Sequence, residues 1–160
     1  MTRSRALIAG WLVVGFLDLL DAFLFFGLMY DVPPTRILHS IAAGLVGRDG
    51  ALGGGGMTAS IGLTLHFFIA FAVVIVAYLA GSRVPALVAR PFISGPIYGL
   101  IVYAVMNYVV IPLSAAPGTG SMPALPVLIN GLLIHIFGIG IPAMWFAREA
   151  LRARCPARSL

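Results

Sequence analysis

Four stretches of the chain are apolar over the length that a membrane crossing requires. A helix needs about 20 mostly apolar residues to cross the hydrocarbon core of a bilayer. Apart from a few isolated polar positions, the polar and charged residues lie outside these stretches. The pattern predicts four membrane-spanning helices, at residues 6–29, 58–80, 92–113 and 124–147.

The first connection, residues 30–57, has a pattern of its own. Pro33 and Pro34 end the first helix, because proline cannot continue the helical hydrogen-bond ladder. Apolar residues then recur at helical spacing opposite a polar face, which predicts a short amphipathic helix in the first outer loop. Its apolar positions are Ile37, Leu38, Ile41, Ala42 and Leu45. The glycine-rich residues 50–56 that follow predict a flexible linker into the second span.

The composition is that of a protein surrounded by lipid. Apolar side chains make up 61% of the 160 residues and charged side chains 9%, against about 25% charged in soluble domains. With a mean hydropathy of +1.06, the chain could not hide its apolar surface from water. This excludes a soluble enzyme, a secreted module and a nucleic-acid-binding domain. We therefore predict an all-α fold, a four-helix membrane bundle that forms a single domain over residues 1–160.

The arginines predict the orientation of the spans, and the chain has no lysine. They precede the first span, occupy the second connection and follow the last span, whereas the third connection has none. The flanking positions are Arg3, Arg5, Arg83, Arg90, Arg148, Arg152, Arg154 and Arg158. Because positive residues flank cytoplasmic helix ends, both termini are predicted inside. The single Cys155 forms no internal disulfide, and without lysine the glycine-rich segment is no phosphate loop.

The second and fourth spans share the motif G-L-x-x-H-x-F, at residues 62–68 and 131–137. The likeness is compatible with a two-helix unit used twice, and also with the chance similarity of apolar helices. In either case His66 and His135 each follow a glycine by four residues, at similar predicted depth. Pro142 is expected to free the carbonyl of Gly138 and to bend the fourth span.

Ionisable residues inside the spans are the main candidates for function. An aspartate at the centre of a membrane helix costs about 2.5–3.5 kcal/mol on insertion scales. At a rise of about 1.5 Å per residue, polar groups of all four spans lie roughly 8–17 Å from the outer end. The candidate metal ligands are His66, His135, Asp21 and Asp18. Asn107 and Tyr103 complete the predicted polar cluster, and Asn130 is a further polar residue of the fourth span.

Three chemistries suit this cluster. Two imidazoles with carboxylates could bind a transition metal ion such as Zn or Fe. His66 and His135 could instead be axial ligands of haem b, or aspartate and histidine could relay protons. An intramembrane aspartyl protease is disfavoured, since Asp18 and Asp21 lie on one helix. The leading hypothesis is a non-enzymatic membrane protein that binds a metal or handles protons.

The alternative hypothesis gives the polar residues a purely structural role. A histidine or asparagine in a membrane helix often only hydrogen-bonds to a neighbouring helix. The chain would then be a scaffolding or accessory subunit, present as a homo-oligomer or within a larger membrane complex. Beyond the lipid bilayer the sequence indicates no particular partner, and it gives no reason to expect nucleic acid.

Positions along most of the chain form a wider pattern. Paired prolines and an arginine end the first span, and a histidine in the second span precedes a Phe-rich run. In the third span a polar residue comes five positions before Pro-Leu, and in the fourth span a histidine precedes an Arg-Glu tail. These positions are Pro33, Pro34, Arg36, His66, Phe67, Phe68, Asn107, Pro112, Leu113 and His135. The pattern resembles the YagU-like family of bacterial inner-membrane proteins, except that Asn107 stands where the family pattern has histidine. The resemblance implies four spans and an inner-membrane location, and it implies no reaction.

Overall fold

The structure is a computed structural model that describes residues 1–116, 118 and 122–153. This part of the chain is helical and contains no strand, which confirms the all-α fold class. The predictions for Arg154, Cys155 and Arg158 lie outside the described residues.

Four long helices account for the four predicted spans. The first is α1 (Arg3–Tyr30), and the second, α4, covers Gly55–Arg83. The third is α6 (Pro91–Val105), which a π-helical segment continues over Met106–Val110. The fourth consists of α7 (Leu125–Leu133), a second π-helical segment (Ile134–Gly140) and α8 (Ile141–Arg152). All four are long and apolar enough to cross a membrane.

Three short helices occupy the connections. The predicted helix of the first loop is present as α2 (Pro34–Val46), followed by α3 (Arg48–Gly53) and, after α4, by α5 (Ala86–Ala89). The prediction of a flexible linker at residues 50–56 is wrong, because α3 and the first turn of α4 take up this segment. The Thr58 hydroxyl donates to the Ala51 carbonyl at 2.7 Å and so ties the two helices together.

The two ends of the long helices differ. One end, here called the loop end, carries α2 and α3, and the other, the terminal end, carries the start of α1 and the end of α8. The Ala115 N–H donates to the Gly44 carbonyl at 2.9 Å, which joins the third connection to α2. The first and third connections thus meet at the loop end.

Glycines let the helix backbones approach one another closely. The fourth long helix packs against each of the other three. A Cβ atom built on Gly99 of α6 would meet the carbonyl of His135, and one built on Gly140 would meet the carbonyl of Gly95. Where α2 crosses α4, a Cβ on Gly62 would meet the carbonyl of Leu38. Small residues at such contacts are typical of helix packing in lipid.

The terminal half of the bundle is a closely packed apolar core. Its buried members include Val14, Val74, Ala77, Ala143, Met144 and Ala147. Two hydrogen bonds connect α4 to its neighbours at the edge of this core. The Trp11 indole donates to the Phe67 carbonyl at 2.7 Å, and the Tyr98 hydroxyl donates to the Val73 carbonyl at 2.6 Å.

Each π-helical segment lies directly before a proline. The Ile111 N–H donates to the Met106 carbonyl at 2.9 Å, five residues back, and Pro112 follows. The Ile141 N–H likewise donates to the Ile136 carbonyl, and Pro142 follows. A proline has no N–H and leaves an upstream carbonyl without its usual helical donor, so the hydrogen-bond pattern widens just before it.

Candidate functional site

A cavity of about 340 Å³ lies among the four long helices, in the loop-end half of the bundle. We call it the central cavity. The six residues predicted as metal ligands or polar cluster all line it, and so does Asn130. They are Asp18, Asp21, His66, Tyr103, Asn107 and His135. The rest of the wall is mainly aliphatic, and a few polar groups in an apolar cavity of this size are typical of binding sites.

Asp18 of α1 and His66 of α4 pair an acidic with a basic side chain in the wall of the central cavity. His66 Nδ1 is 3.9 Å from Asp18 Oδ2. The other ring nitrogen, Nε2, donates to the Gly15 carbonyl at 2.8 Å. Because a carbonyl only accepts, this bond holds the ring proton on Nε2 and leaves Nδ1 able to take up a second proton. The Asp18 side chain is 32% exposed, so its carboxylate is not sealed from the cavity.

Asp21 lies one turn closer to the loop end than Asp18. Its Oδ2 accepts a hydrogen bond of 2.7 Å from the Asn130 side-chain amide, which joins α1 to α7. The spacing of three residues places Asp18 and Asp21 on the same face of α1. The two carboxyl groups thus follow one another along the wall of the central cavity.

His135 of the second π-helical segment has its ring proton held in a similar way. Its Nδ1 donates to the Gly131 carbonyl of the same helix at 2.8 Å, so Nε2 is the nitrogen able to accept a proton. The Tyr103 ring meets the imidazole edge to face, with ring centroids 5.2 Å apart. Both side chains line the central cavity.

Asn107 lines the central cavity, but it contributes less to the polar cluster than its position in the sequence predicts. Its side-chain amide donates to the Tyr103 carbonyl of its own helix at 2.9 Å and does not connect two helices. Asn107 and His135 are nevertheless the two polar residues of the described cavity wall that lie within π-helical segments. Such segments recur at functional sites, because the widened turn changes the direction of a side chain.

The arrangement fits a shared metal ion poorly. Within the described ranges, no three side chains of His, Cys, Asp or Glu are grouped closely enough to hold one ion. One feature does suit a metal, because each cavity histidine donates one ring N–H to a backbone carbonyl, as metal ligands commonly do. The metal and haem b hypotheses for these residues stay predictions.

A second cavity, of about 410 Å³, lies at the loop end, and we call it the loop-end pocket. Arg36 and His39 of α2 and Arg48 of α3 line it. Phe26 and Ile37 line both this pocket and the central cavity, and so stand between the two. The sequence interpretation missed the pocket, although Arg36 and His39 are three residues apart on one face of the predicted helix.

The fold and the central cavity together define the chain as an all-helical protein with four helices able to cross a membrane and, among them, an apolar cavity that holds several polar side chains. Comparison with protein-family models, with curated proteins and with solved structures finds no match in any of the three. A proposal of function therefore rests on the chemistry of the central cavity.

Proposed function

We propose that the chain is a multi-pass protein of a bacterial inner membrane that takes up protons at the central cavity. The four long apolar helices support the membrane location. The arginines at the terminal end, among them Arg3, Arg5, Arg83 and Arg90, support an orientation with both termini in the cytoplasm. The loop end and its pocket then face the outer side of the membrane.

The observation that carries the proposal is the pairing of Asp18 with His66. A carboxyl and a nearby imidazole that hold one titratable proton between them carry no net charge, whichever of the two binds it. At 3.9 Å the two atoms form no direct hydrogen bond, so exchange of the proton between them requires a bridging water or a side-chain rotation. The pair therefore avoids the cost of an isolated charge inside the bilayer, about 2.5–3.5 kcal/mol for aspartate on insertion scales. It can accept or release a proton through Nδ1 of His66 or the carboxyl of Asp18, 3.9 Å apart.

Protons would reach the pair from the loop end. Asp21 lies between Asp18 and that end. Phe26 and Ile37 line both the central cavity and the loop-end pocket, so a single layer of side chains lies between the two. On the other side, buried residues of the apolar core such as Val14 block the way to the terminal end. The proposed uptake is thus one-sided.

Charge favours protons over metal cations as the species that arrives by this route. Arg36 and Arg48 line the loop-end pocket, and among the described residues no carboxylate does. A divalent cation approaching through this pocket would meet two guanidinium groups. A proton carries one charge where a divalent cation carries two, so the repulsion from the guanidinium groups is about half as large for a proton.

The proposal is tested by titrating the protein in liposomes with ¹⁵N-labelled histidine and recording the carbonyl stretch of protonated carboxyl groups by infrared spectroscopy. Asp18→Asn is expected to remove one carboxyl proton and to change the titration curve of His66, because the carboxyl of Asp18 lies 3.9 Å from the imidazole and its charge acts on it. The curve of His39, outside the cavity, is expected to stay as it is. Asp31→Asn makes the same exchange at the exposed residue after α1, and we expect it to change neither signal.

Identical His66 titration in the wild type and in Asp18→Asn would contradict the proposal. An infrared signal that falls equally in Asp18→Asn and Asp31→Asn would contradict it as well, since it would place the titrating carboxyl outside the central cavity.

The orientation is tested separately by cysteine labelling in a Cys155→Ser background. Gly53→Cys lies at the loop end, at a position where an added side chain meets open space in the described part of the chain. Ser4→Cys lies at the terminal end. On intact cells a membrane-impermeant maleimide is expected to label Gly53→Cys and to reach Ser4→Cys only after permeabilisation. The reverse pattern would overturn the predicted topology.

A second candidate function has one observation in its favour. The hydrogen bond from His66 to the Gly15 carbonyl joins α4 to α1, as a purely structural histidine would. On this view the chain is a scaffolding or accessory subunit, in a homo-oligomer or a larger complex. Variants of His66 that keep or lose this hydrogen bond distinguish the two functions.

A further inference from the structure

We propose that the loop-end pocket binds the phosphate group of an anionic ligand, with the guanidinium of Arg36 as its main partner. The proposal concerns a cavity different from the proton site and does not depend on it. The pocket has a volume of about 410 Å³, enough for a glycerophosphate-sized group.

The positive charge of the pocket comes from two separate helices. Arg36 lies on the first turn of α2 and Arg48 on the first turn of α3, and both line the same space. Asp31 precedes Arg36 by five residues and Asp49 directly follows Arg48, but neither is among the described lining residues of the pocket. Two guanidinium groups on one cavity without a carboxylate among its described lining residues form a site for an anion.

Arg36 has its hydrogen-bonding capacity available. Within residues 1–116, 118 and 122–153 its guanidinium has no hydrogen-bond or ion-pair partner, whereas Arg48 already interacts within the protein. A guanidinium offers five N–H donors in a planar fork that matches two oxygens of a phosphate. Arg36 is therefore the residue on which binding should depend most.

The other polar groups of the pocket are fixed in supporting positions. His39 Nε2 donates to the Gly55 carbonyl at 2.9 Å, so only its Nδ1 remains, which could donate to an anion when the ring is protonated. The Ser40 hydroxyl already donates to the Ile37 carbonyl at 2.7 Å. The donor set thus consists of guanidinium groups, and this favours phosphate over a neutral polar ligand.

The position of the pocket indicates where the phosphate comes from. Phe26, Val32, Ile37 and Leu52 give the pocket an apolar side next to its cationic one. At the end of a membrane-spanning bundle, this combination suits an anionic lipid headgroup with the start of its chains. A free phosphate ester shares the recognised group, so the test includes both sources.

The test measures thermal unfolding of the full chain in neutral detergent with added ligand. The probes are dioctanoylphosphatidylglycerol, glycerol 3-phosphate and, at matched ionic strength, sodium chloride. For the wild type we expect the lipid at saturation to raise the unfolding midpoint by roughly 5–10 °C over sodium chloride. Arg36→Gln is expected to lose most of this rise, and Arg48→Gln part of it. Arg83→Gln, an exposed arginine at the terminal end, is expected to keep it.

The outcomes distinguish the sources of the phosphate. A rise with the lipid alone identifies a headgroup site, and an equal rise with glycerol 3-phosphate identifies a site for free phosphate esters. A rise that is the same in the wild type, Arg36→Gln and Arg83→Gln would overturn the proposal, because the effect would then not come from the pocket. The absence of any rise with either phosphate probe would overturn it too.

Discussion

Gly99→Ala is expected to destabilise the protein strongly, through the addition of a single methyl group. The new Cβ would meet the backbone carbonyl of His135, and a backbone atom cannot move aside as a flexible side chain can. The fourth long helix would have to shift away from α6. Overpacking of this kind costs about 3 kcal/mol, which corresponds to a fall of roughly 6–12 °C in the thermal midpoint of a chain of this length.

The measurement is thermal unfolding in detergent, and Gly56→Ala is the matched control. Gly56 is also a helical glycine, but an added Cβ there has no atom of the described chain within 4 Å. Alanine favours the helix, so the midpoint of Gly56→Ala is expected to stay unchanged or rise slightly. Equal midpoints for the two variants would show that α6 and the fourth helix are not in the close contact described.

His66→Gln and His66→Leu are expected to separate proton uptake from helix packing. The amide of glutamine can still donate to the Gly15 carbonyl, but it cannot take up a proton. We therefore expect His66→Gln to keep a midpoint near that of the wild type while the carboxyl signal of Asp18 titrates differently. His66→Leu loses the hydrogen bond as well, and such a bond is worth about 0.6 kcal/mol on average in membrane proteins. We therefore expect His66→Leu to unfold at a lower temperature than the wild type and His66→Gln.

The two histidine variants decide between the proposed functions. If the carboxyl signal of Asp18 titrates in His66→Gln as it does in the wild type, the imidazole has no part in proton uptake. That result would favour the accessory-subunit hypothesis. If only His66→Leu changes anything, His66 serves helix packing alone. Elemental analysis and a visible spectrum of the same preparations would show a metal ion or haem lost together with the imidazole, if His66 were a ligand.

Much of the fold could be predicted because lipid imposes a simple pattern. An apolar run of the right length has one stable structure in a bilayer, and charged residues mark its ends. The same logic placed Asp21, His66, Asn107 and His135 at nearly the same level, since helical rise fixes depth along each span. The structure brings these four residues to one cavity.

The remaining features depend on contacts that a single-residue pattern does not contain. Helix α3 and the start of α4 at Gly55, before the predicted residue 58, depend on hydrogen bonds such as that from Thr58 to Ala51. The glycines of this segment alone indicate a linker. The hydrogen-bond partners of His66 and Asp21 depend on how α1 is rotated against α4 and α7. The loop-end pocket depends on the angle between α2 and α3, which no periodicity encodes.

The packed terminal half of the bundle has an electrical consequence. Water that enters the central cavity from the loop end would carry the potential of the solution on that side down to Asp18, about 18 Å along α1 from Tyr30. Most of the membrane voltage would then fall across the apolar layer around Val14, Val74 and Ala143, where water has no access. Since a full charge crossing the whole field gains about 2.3 kcal/mol per 100 mV, proton binding at Asp18 should depend only weakly on voltage. Any passage of the proton beyond that layer should depend on it strongly.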